Sequence, residues 1–211
     1  MTDVKETFGL AAAAFVDAVA GIRHQEWDKP GLGEWDVRSL VGHTVRAVLT
    51  IETYLATGTG ACDRIDPVDY YLALLGDPSD PADAERRSAL HAAVAERGRR
   101  AGADLGVDPA GYVAETARRV VALVDNTPAD APLATPAGTM ALEDYLQTRI
   151  LELAVHTLDL YRALHSEPVP QLDPAIALTW QLLGRIANRR QLQTDLVLSI
   201  TGRTVPLPPV L

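Results

Sequence analysis

The chain has 211 residues, a formal net charge of −9 and a hydrophobic content of 47%, values that suit one globular domain with a substantial core. The acidic balance argues against general binding to nucleic acid or to an anionic membrane surface, because both need a basic face. No apolar run reaches the roughly 18–20 residues needed to span a bilayer, and the polar start lacks a signal-peptide pattern, so we expect a cytoplasmic protein. The single cysteine, Cys62, excludes an internal disulfide framework, and no histidine lies near it in sequence to activate it as a nucleophile.

The first two predicted helices flank a short segment rich in helix breakers. Apolar residues at helical spacing predict a first helix over about residues 4–23, followed by a loop at 27–33. Asp36 is the predicted N-cap of the second helix, because its carboxylate can accept hydrogen bonds from the exposed amides of the next turn. That helix covers about residues 37–56, and its apolar stripe includes His43, which we therefore expect to point inward.

Three shorter helices are predicted next, each opening at or just after a proline, over residues 67–75, 82–100 and 109–125. The segment 126–138 contains three prolines and is predicted to be a loop.

A long helix then opens at Thr139 or a neighbour and ends near His165. It is apolar most of the way round, which is expected of a helix buried between neighbours or at the interface of a homodimer. A final helix is predicted over about 174–189, and the apolar run at 195–200 predicts a short strand or an extended tail.

These elements predict an all-α protein in which a four-helix bundle is built around two long helices and carries additional helices. We expect a single domain, with the core bundle at about residues 1–165, an inserted helical region at about 62–125 and a C-terminal extension at about 166–211.

Two residues of the long helix have the spacing of metal ligands. Glu152 and His156 are four residues apart, which places them on one face of a helix, one turn from each other. With His43 from the second helix they would form a three-ligand metal site with an open position, an arrangement that suits chemistry better than structural stapling.

The same spacing has an alternative explanation without a metal. A partly buried carboxylate needs a partner, and Arg149 lies one turn before Glu152, so the two could form a plain ion pair. His156 and His43 would then be unrelated core histidines. Spacing alone does not choose between these two interpretations.

Two segments together resemble a known family. The first contains Trp35, Asp36, Val37, Arg38 and His43, and the second contains Arg149, Glu152, His156 and Asp159. This combination resembles the mycothiol-dependent maleylpyruvate isomerase family, within the wider superfamily of DinB-like metal-binding four-helix bundles. The resemblance implies that His43, Glu152 and His156 bind a divalent metal, usually zinc.

The resemblance also implies a reaction type. A low-molecular-weight thiol, mycothiol or a similar compound, would bind at the open position and attack a small electrophilic substrate, giving S-transfer or thiol-assisted isomerisation. The isomerase proper carries a further α/β domain, whereas only about 45 residues follow His165 here, so maleylpyruvate itself is in doubt as the substrate. A metal-dependent hydrolase and a noncatalytic metal-binding helical protein are the alternatives.

Three further residues are candidates for supporting roles at this site. Asp159 can take the second ring proton of His156, as carboxylates often do beside a histidine ligand. Arg149 is placed to orient either Glu152 or an anionic substrate, and Tyr145, one turn earlier, is placed to line the pocket.

Overall fold

The computed structural model describes residues 3–57, 64–76, 80–203 and 210–211, without the side chains of residues 81, 82 and 84. Cys62 therefore lies outside the described residues. The prediction of an all-α, DinB-like bundle is confirmed. The helices of the described residues are α1 (Val4–Ala20), α2 (Val37–Ala56), α3 (Pro67–Leu75), α4 (Pro81–Asp104), α5 (Pro109–Asp125), α6 (Leu142–Ala163), α7 (Asp173–Arg189) and α8 (Gln193–Ile200). The short strands are β1 (Pro30–Leu32), β2 (Trp35–Asp36), β3 (Pro132–Thr135) and β4 (Gly138–Ala141).

The helices α1, α2, α5 and α6 form the bundle. Both α1 and α2 pack against α5 on one side and against α6 on the other. Fully buried apolar side chains fill the space between them, including Phe8, Phe15, Leu40, Ile51, Leu146 and Ile150. Helix α4 lies along α2, and α7 packs against α6 and α3. The segment 62–125, assigned from sequence to an inserted region, thus contains the bundle helix α5.

The helix starts expected from sequence are largely observed. The Asp36 carboxylate accepts from the amide of Ser39 at 2.7 Å, which confirms it as the N-cap of α2. Pro67 and Pro109 occupy the first positions of α3 and α5, where the missing amide proton costs no hydrogen bond. Helix α1 ends at Ala20, three residues earlier than the sequence pattern predicts.

The prediction of a loop over 126–138 is wrong in its second half. Strands β3 and β4 pair antiparallel there, with Thr139 opposite Ala134, so Thr139 belongs to a hairpin and does not open the long helix. Helix α6 begins at Leu142, whose amide donates to the carbonyl of Ala131 at 2.8 Å. A backbone carbonyl therefore satisfies this exposed amide in place of a side-chain cap.

The prediction of a strand or extended tail at 195–200 is also wrong, because these residues belong to α8. The amide of Leu196 donates to the carbonyl of Leu192 at 2.9 Å, which is a helical hydrogen bond. A strand would need a partner, and in the described residues the sheets pair only β1 with β2 and β3 with β4. Short apolar runs are ambiguous between helix and strand when periodicity is the only guide.

Packing within one chain accounts for the apolar side chains found around most of α6. Helices α1, α2, α3 and α7 all pack against it, and Val155, 36% exposed, is the most exposed of its large apolar side chains. Homodimerisation stays a prediction. None of the helices in the described ranges has a segment long and apolar enough to cross a membrane.

Helix α2, which carries His43, crosses α4 at very close range. A Cβ atom added to Gly42 would lie against the backbone nitrogen of Gly102, and one added to Gly102 would lie 2.9 Å from the carbonyl oxygen of Arg38. Only glycine at both positions allows the two backbones to approach this closely. The crossing therefore fixes the α2 backbone at Gly42, which is one residue before His43.

We expect the substitution Gly42→Ala to destabilise the protein by about 1–3 kcal/mol or more, because the clash is with backbone and cannot be relieved by a rotamer change. The free energy of unfolding, measured in urea, checks this. Gly184→Ala in α7 is the matched control, since a Cβ there meets nothing within 4 Å and alanine is the better helix former by about 0.5–1 kcal/mol. Equal effects of the two substitutions would contradict the close crossing.

Candidate metal centre

Helices α2 and α6 bring the three predicted ligands together. His43 projects from α2, Glu152 and His156 project from α6, and one potential ligand atom from each lies within 4.8 Å of the others. All three residues are partly buried, and the side chains of Glu152 and His156 keep 25% and 14% of their surface exposed. The cluster therefore lies between packed helices and still can be reached from solvent.

The two carboxylate oxygens of Glu152 have different neighbours. Oε1 accepts a hydrogen bond from the hydroxyl of Tyr71 at 3.1 Å, while Oε2 lies 3.4 Å from Nε2 of His156. Burial alone would raise the pKa of Glu152, but the hydrogen bond with His156 and the positive charge of Arg149 lower it to about 2. Glu152 is thus a carboxylate at neutral pH.

His156 lies between two carboxylates. Its Nδ1 is 3.2 Å from Oδ2 of Asp159, on the side opposite Glu152. Burial opposes the charged form of His156, yet the hydrogen bonds with Asp159 and Glu152 outweigh it and raise its pKa to about 9. The contact with Asp159 has the geometry by which a carboxylate sets the orientation of a histidine ligand.

His43 is the neutral member of the cluster. Its ring lies 4.8 Å from the His156 ring and 4.6 Å from the Trp35 ring, measured between centroids. Burial, together with the positive charge of His156, lowers the pKa of His43 to about 4. Its Nδ1 is buried and has no hydrogen-bond partner among the described residues, which is costly for a polar atom.

Arg149 does not form the ion pair with Glu152 that the alternative interpretation requires. Among the described residues no carboxylate oxygen lies within ion-pair distance of its guanidinium. The guanidinium is instead 4.7 Å from the centroid of the Tyr145 ring, and it donates to Tyr70 Oη at 3.4 Å and Thr148 Oγ1 at 3.0 Å. The positive charge of Arg149 acts on Glu152 without a direct contact and helps to lower the pKa of that carboxyl group.

Tyr145 is fully buried beneath Arg149, and its hydroxyl donates to Thr50 Oγ1 at 2.9 Å. These contacts make it a support for the Arg149 guanidinium, and its role in lining a substrate pocket stays a prediction.

The chain's other histidines, His24, His91 and His165, are exposed.

The segment before α2 holds Trp35 against the cluster and is anchored by Glu26. The buried Glu26 carboxylate accepts from the backbone amide of Arg23 at 3.0 Å, from the Arg23 guanidinium at 2.5 Å and from Lys29 Nζ at 3.2 Å. The hydrogen bonds from the Arg23 side chain and amide lower the pKa of Glu26 from 4.5 to about 2.

We expect Glu26→Gln to reduce stability in a pH-dependent way. Because the pKa of Glu26 is lower in the folded state, its ionised form stabilises the fold fully above about pH 4.5, and this contribution is lost as the pH falls towards about 2. The difference in unfolding free energy between the parent and E26Q should therefore shrink on acidification. Urea titrations at a series of pH values measure it. A constant difference, or the same profile for E85Q at an exposed carboxylate of α4, would contradict the assignment.

Two contributors to the site were missed in the sequence. Tyr71 reaches Glu152 from α3, which is 81 residues away in the chain, and no local pattern reports such a contact. Trp35 enters the sequence analysis only as part of the family motif, whereas in the structure it is buried and its ring lies against His43 as a wall of the cluster. Its position one residue before the Asp36 cap was the available signal.

The fold and this cluster define a class of protein, a DinB-like helical bundle whose facing helices present two imidazoles and a carboxylate with the spacing of a metal site. The family model described as the mycothiol maleylpyruvate isomerase N-terminal domain matches residues 8–161, and the chain belongs to this family. The match ends within α6, so α7 and α8 lie beyond it. No curated protein and no solved structure gave a significant match.

Proposed function

We propose that this protein is a divalent-metal-dependent enzyme that uses a low-molecular-weight thiol of the mycothiol type. The observation that carries the proposal is the meeting of His43, Glu152 and His156 within 4.8 Å, in a chain of the mycothiol maleylpyruvate isomerase N-terminal domain family. The reaction would be S-transfer to a small electrophile or its thiol-assisted isomerisation.

The residues present fit a divalent cation, with zinc the metal we propose. Two imidazole nitrogens and one carboxylate oxygen are a ligand set of catalytic zinc sites, which keep a position open for a further ligand. The low pKa of His43 leaves its ring neutral, as a ligand must be, and no hydrogen bond from the described part of the chain competes for its buried Nδ1. His156 would have to lose a proton on metal binding, so metal and proton compete for it.

The surrounding residues would prepare the site for the thiol. Asp159 holds the His156 ring through Nδ1, Tyr71 holds Glu152 through Oε1, and Trp35 covers one face of His43. A bound divalent cation would lower the pKa of a coordinated thiol, so that its thiolate is available at neutral pH. In the proposed reaction the thiolate sulfur would form a bond to the electrophilic carbon. With an alkyl halide, the carbon–halogen bond would break and halide would leave with the bonding electron pair. With an activated alkene, the π electrons would move onto the activating group; uptake of a proton from water would complete S-transfer, whereas rotation about the carbon–carbon bond followed by loss of the thiolate and re-formation of the double bond would give isomerisation.

Metal and thiol dependence together test this function. The purified protein is stripped with a chelator, reloaded with Zn²⁺, and assayed with mycothiol and a panel of activated alkenes and alkyl halides. We expect product only when both zinc and thiol are present, and no product from His156→Ala. His165→Ala, at an exposed histidine just beyond the end of α6, should behave as the parent.

Other outcomes would contradict the proposal. Hydrolysis of an ester or amide without thiol would favour a hydrolase that uses the same ligands. Zinc binding without turnover of any electrophile in the panel would favour a noncatalytic metal-binding protein.

A further inference from the structure

Glu152 is held by a hydroxyl from an element that the sequence did not connect with the site. We propose that Tyr71 of α3 is a positioning residue for the metal centre, keeping Oε1 of Glu152 occupied so that Oε2 is the oxygen presented to the cation. The proposal rests on the metal-dependent function proposed above. It assigns to α3 a role in setting how Glu152 binds the metal.

The geometry separates the two carboxylate oxygens. The Tyr71 hydroxyl lies 3.1 Å from Oε1, whereas Oε2 lies on the side of His156, 3.4 Å from its Nε2. A hydrogen bond to one oxygen of a ligating carboxylate restrains its rotation and favours binding through the other oxygen. Without this hydroxyl, the carboxylate could rotate and offer both oxygens to the same cation.

Tyr71 is rigidly placed for this task. Its side chain is 5% exposed, and its ring packs edge-to-face on Tyr70 at 5.3 Å between centroids. The hydroxyl also lies 3.3 Å from the carbonyl oxygen of Thr148, one turn before Glu152 on α6. A single hydroxyl proton can serve only one acceptor strongly, and the charged carboxylate is the stronger of the two.

The helix that carries Tyr71 is itself held by the C-terminal part of the chain. Asp66 caps α3 and also accepts from Arg185 of α7 at 2.9 Å, and Asp69 accepts from Arg189 at 3.0 Å. These exposed ion pairs contribute little individually, but α7 also packs directly on α3. Helix α7 lies beyond residue 161, where the family match ends, so this chain supports Glu152 with a segment outside that match.

Neighbouring tyrosines on α3 provide a matched pair of variants. Tyr71→Phe removes the hydroxyl that reaches Glu152, while Tyr70→Phe removes a hydroxyl that accepts from Arg149 and does not contact Glu152. Both substitutions keep the ring and its packing. Circular dichroism and thermal unfolding of the chelated proteins should show that both variants remain folded.

The decisive measurements are metal affinity and the spectrum of the cobalt-substituted protein. Competition with a chromophoric chelator gives the Kd for Zn²⁺, and the visible d–d bands of bound Co²⁺ report the coordination number, which a purely structural role for Tyr71 would not change. For Y71F we expect a Kd raised by about 10–100-fold and altered Co²⁺ bands. For Y70F we expect both to match the parent.

The outcomes separate this proposal from the one on which it rests. If the parent binds Zn²⁺ and loses it on E152Q, the metal site is established, and an unchanged Kd and Co²⁺ spectrum in Y71F would then overturn the role of Tyr71. If the parent binds neither metal at this cluster, both proposals fail. An equal loss of zinc affinity in Y70F and Y71F would assign the effect to the general packing of α3, and it would also overturn the positioning role of Tyr71.

Discussion

Replacing Glu152 by glutamine is expected to raise the Kd for Zn²⁺ by more than about 100-fold. Glu152 is the one carboxylate among the three proposed ligands, and glutamine keeps its size while removing its charge. Loss of a residue that merely supports a ligand costs roughly 10–100-fold, so loss of the charged ligand itself should exceed this. Chelator competition measures the Kd, and metal analysis of the purified variant should show little zinc.

The matched control for E152Q is Glu143→Gln on the same helix. Glu143 is exposed near the start of α6 and has no part in the cluster, so this variant should bind zinc as the parent does. A purely structural contact between Glu152 and His156 makes the opposite prediction. If the contact between Glu152 and His156 serves only stability, the parent takes up no zinc and E152Q lowers the melting temperature alone.

Replacing Trp35 by alanine is expected to destabilise the metal-free protein by about 3–5 kcal/mol, the usual range for removing a large buried aromatic ring. Trp35 is 8% exposed, and its indole Nε1 donates to the carbonyl oxygen of Ala95 on α4 at 2.9 Å. Its loss also removes the wall beside His43, so zinc binding should weaken in the fraction that remains folded. Urea unfolding in the presence of a chelator measures the first effect.

Trp180→Ala is the matched control for the tryptophan substitution. Trp180 is 52% exposed on α7, and its replacement should change the free energy of unfolding by no more than about 0.5 kcal/mol. A similar decrease in the free energy of unfolding for both tryptophan substitutions would contradict the assignment of Trp35 as a buried packing residue.

A double-mutant cycle with Gly98 tests how Trp35 is held on α4. A Cβ atom added at Gly98 would lie 2.6 Å from Cε2 and Cζ2 of the Trp35 ring, so Gly98→Ala should be destabilising in the parent. In the W35A background the obstacle is gone, and alanine should stabilise α4 by about 0.5–1 kcal/mol. Additive effects of the two substitutions would show that the indole does not rest on Gly98.

Short-range patterns explain which features could be predicted. The i, i+4 spacing of Glu152 and His156 places them on one face of any helix, and the Asp36 cap marks the start of α2. The helix pattern made His43 a candidate third ligand, and the family resemblance favoured this interpretation over unrelated core histidines. Periodicity failed at Thr139 and at 195–200, because the hairpin depends on pairing with a neighbouring strand and a short apolar run fits helix or strand equally well.

Local sequence was therefore enough for helices α1 to α5 and α7, for the Asp36 cap and for the Glu152–His156 pair, since each depends on residues within about one helical turn. Tertiary structure decided what surrounds that pair. It placed Arg149 on Tyr145 instead of against Glu152, gave Glu152 the hydroxyl of Tyr71, and set Trp35 beside His43. These contacts join residues far apart in the chain, and they form only when α2, α3, α4 and α6 pack together.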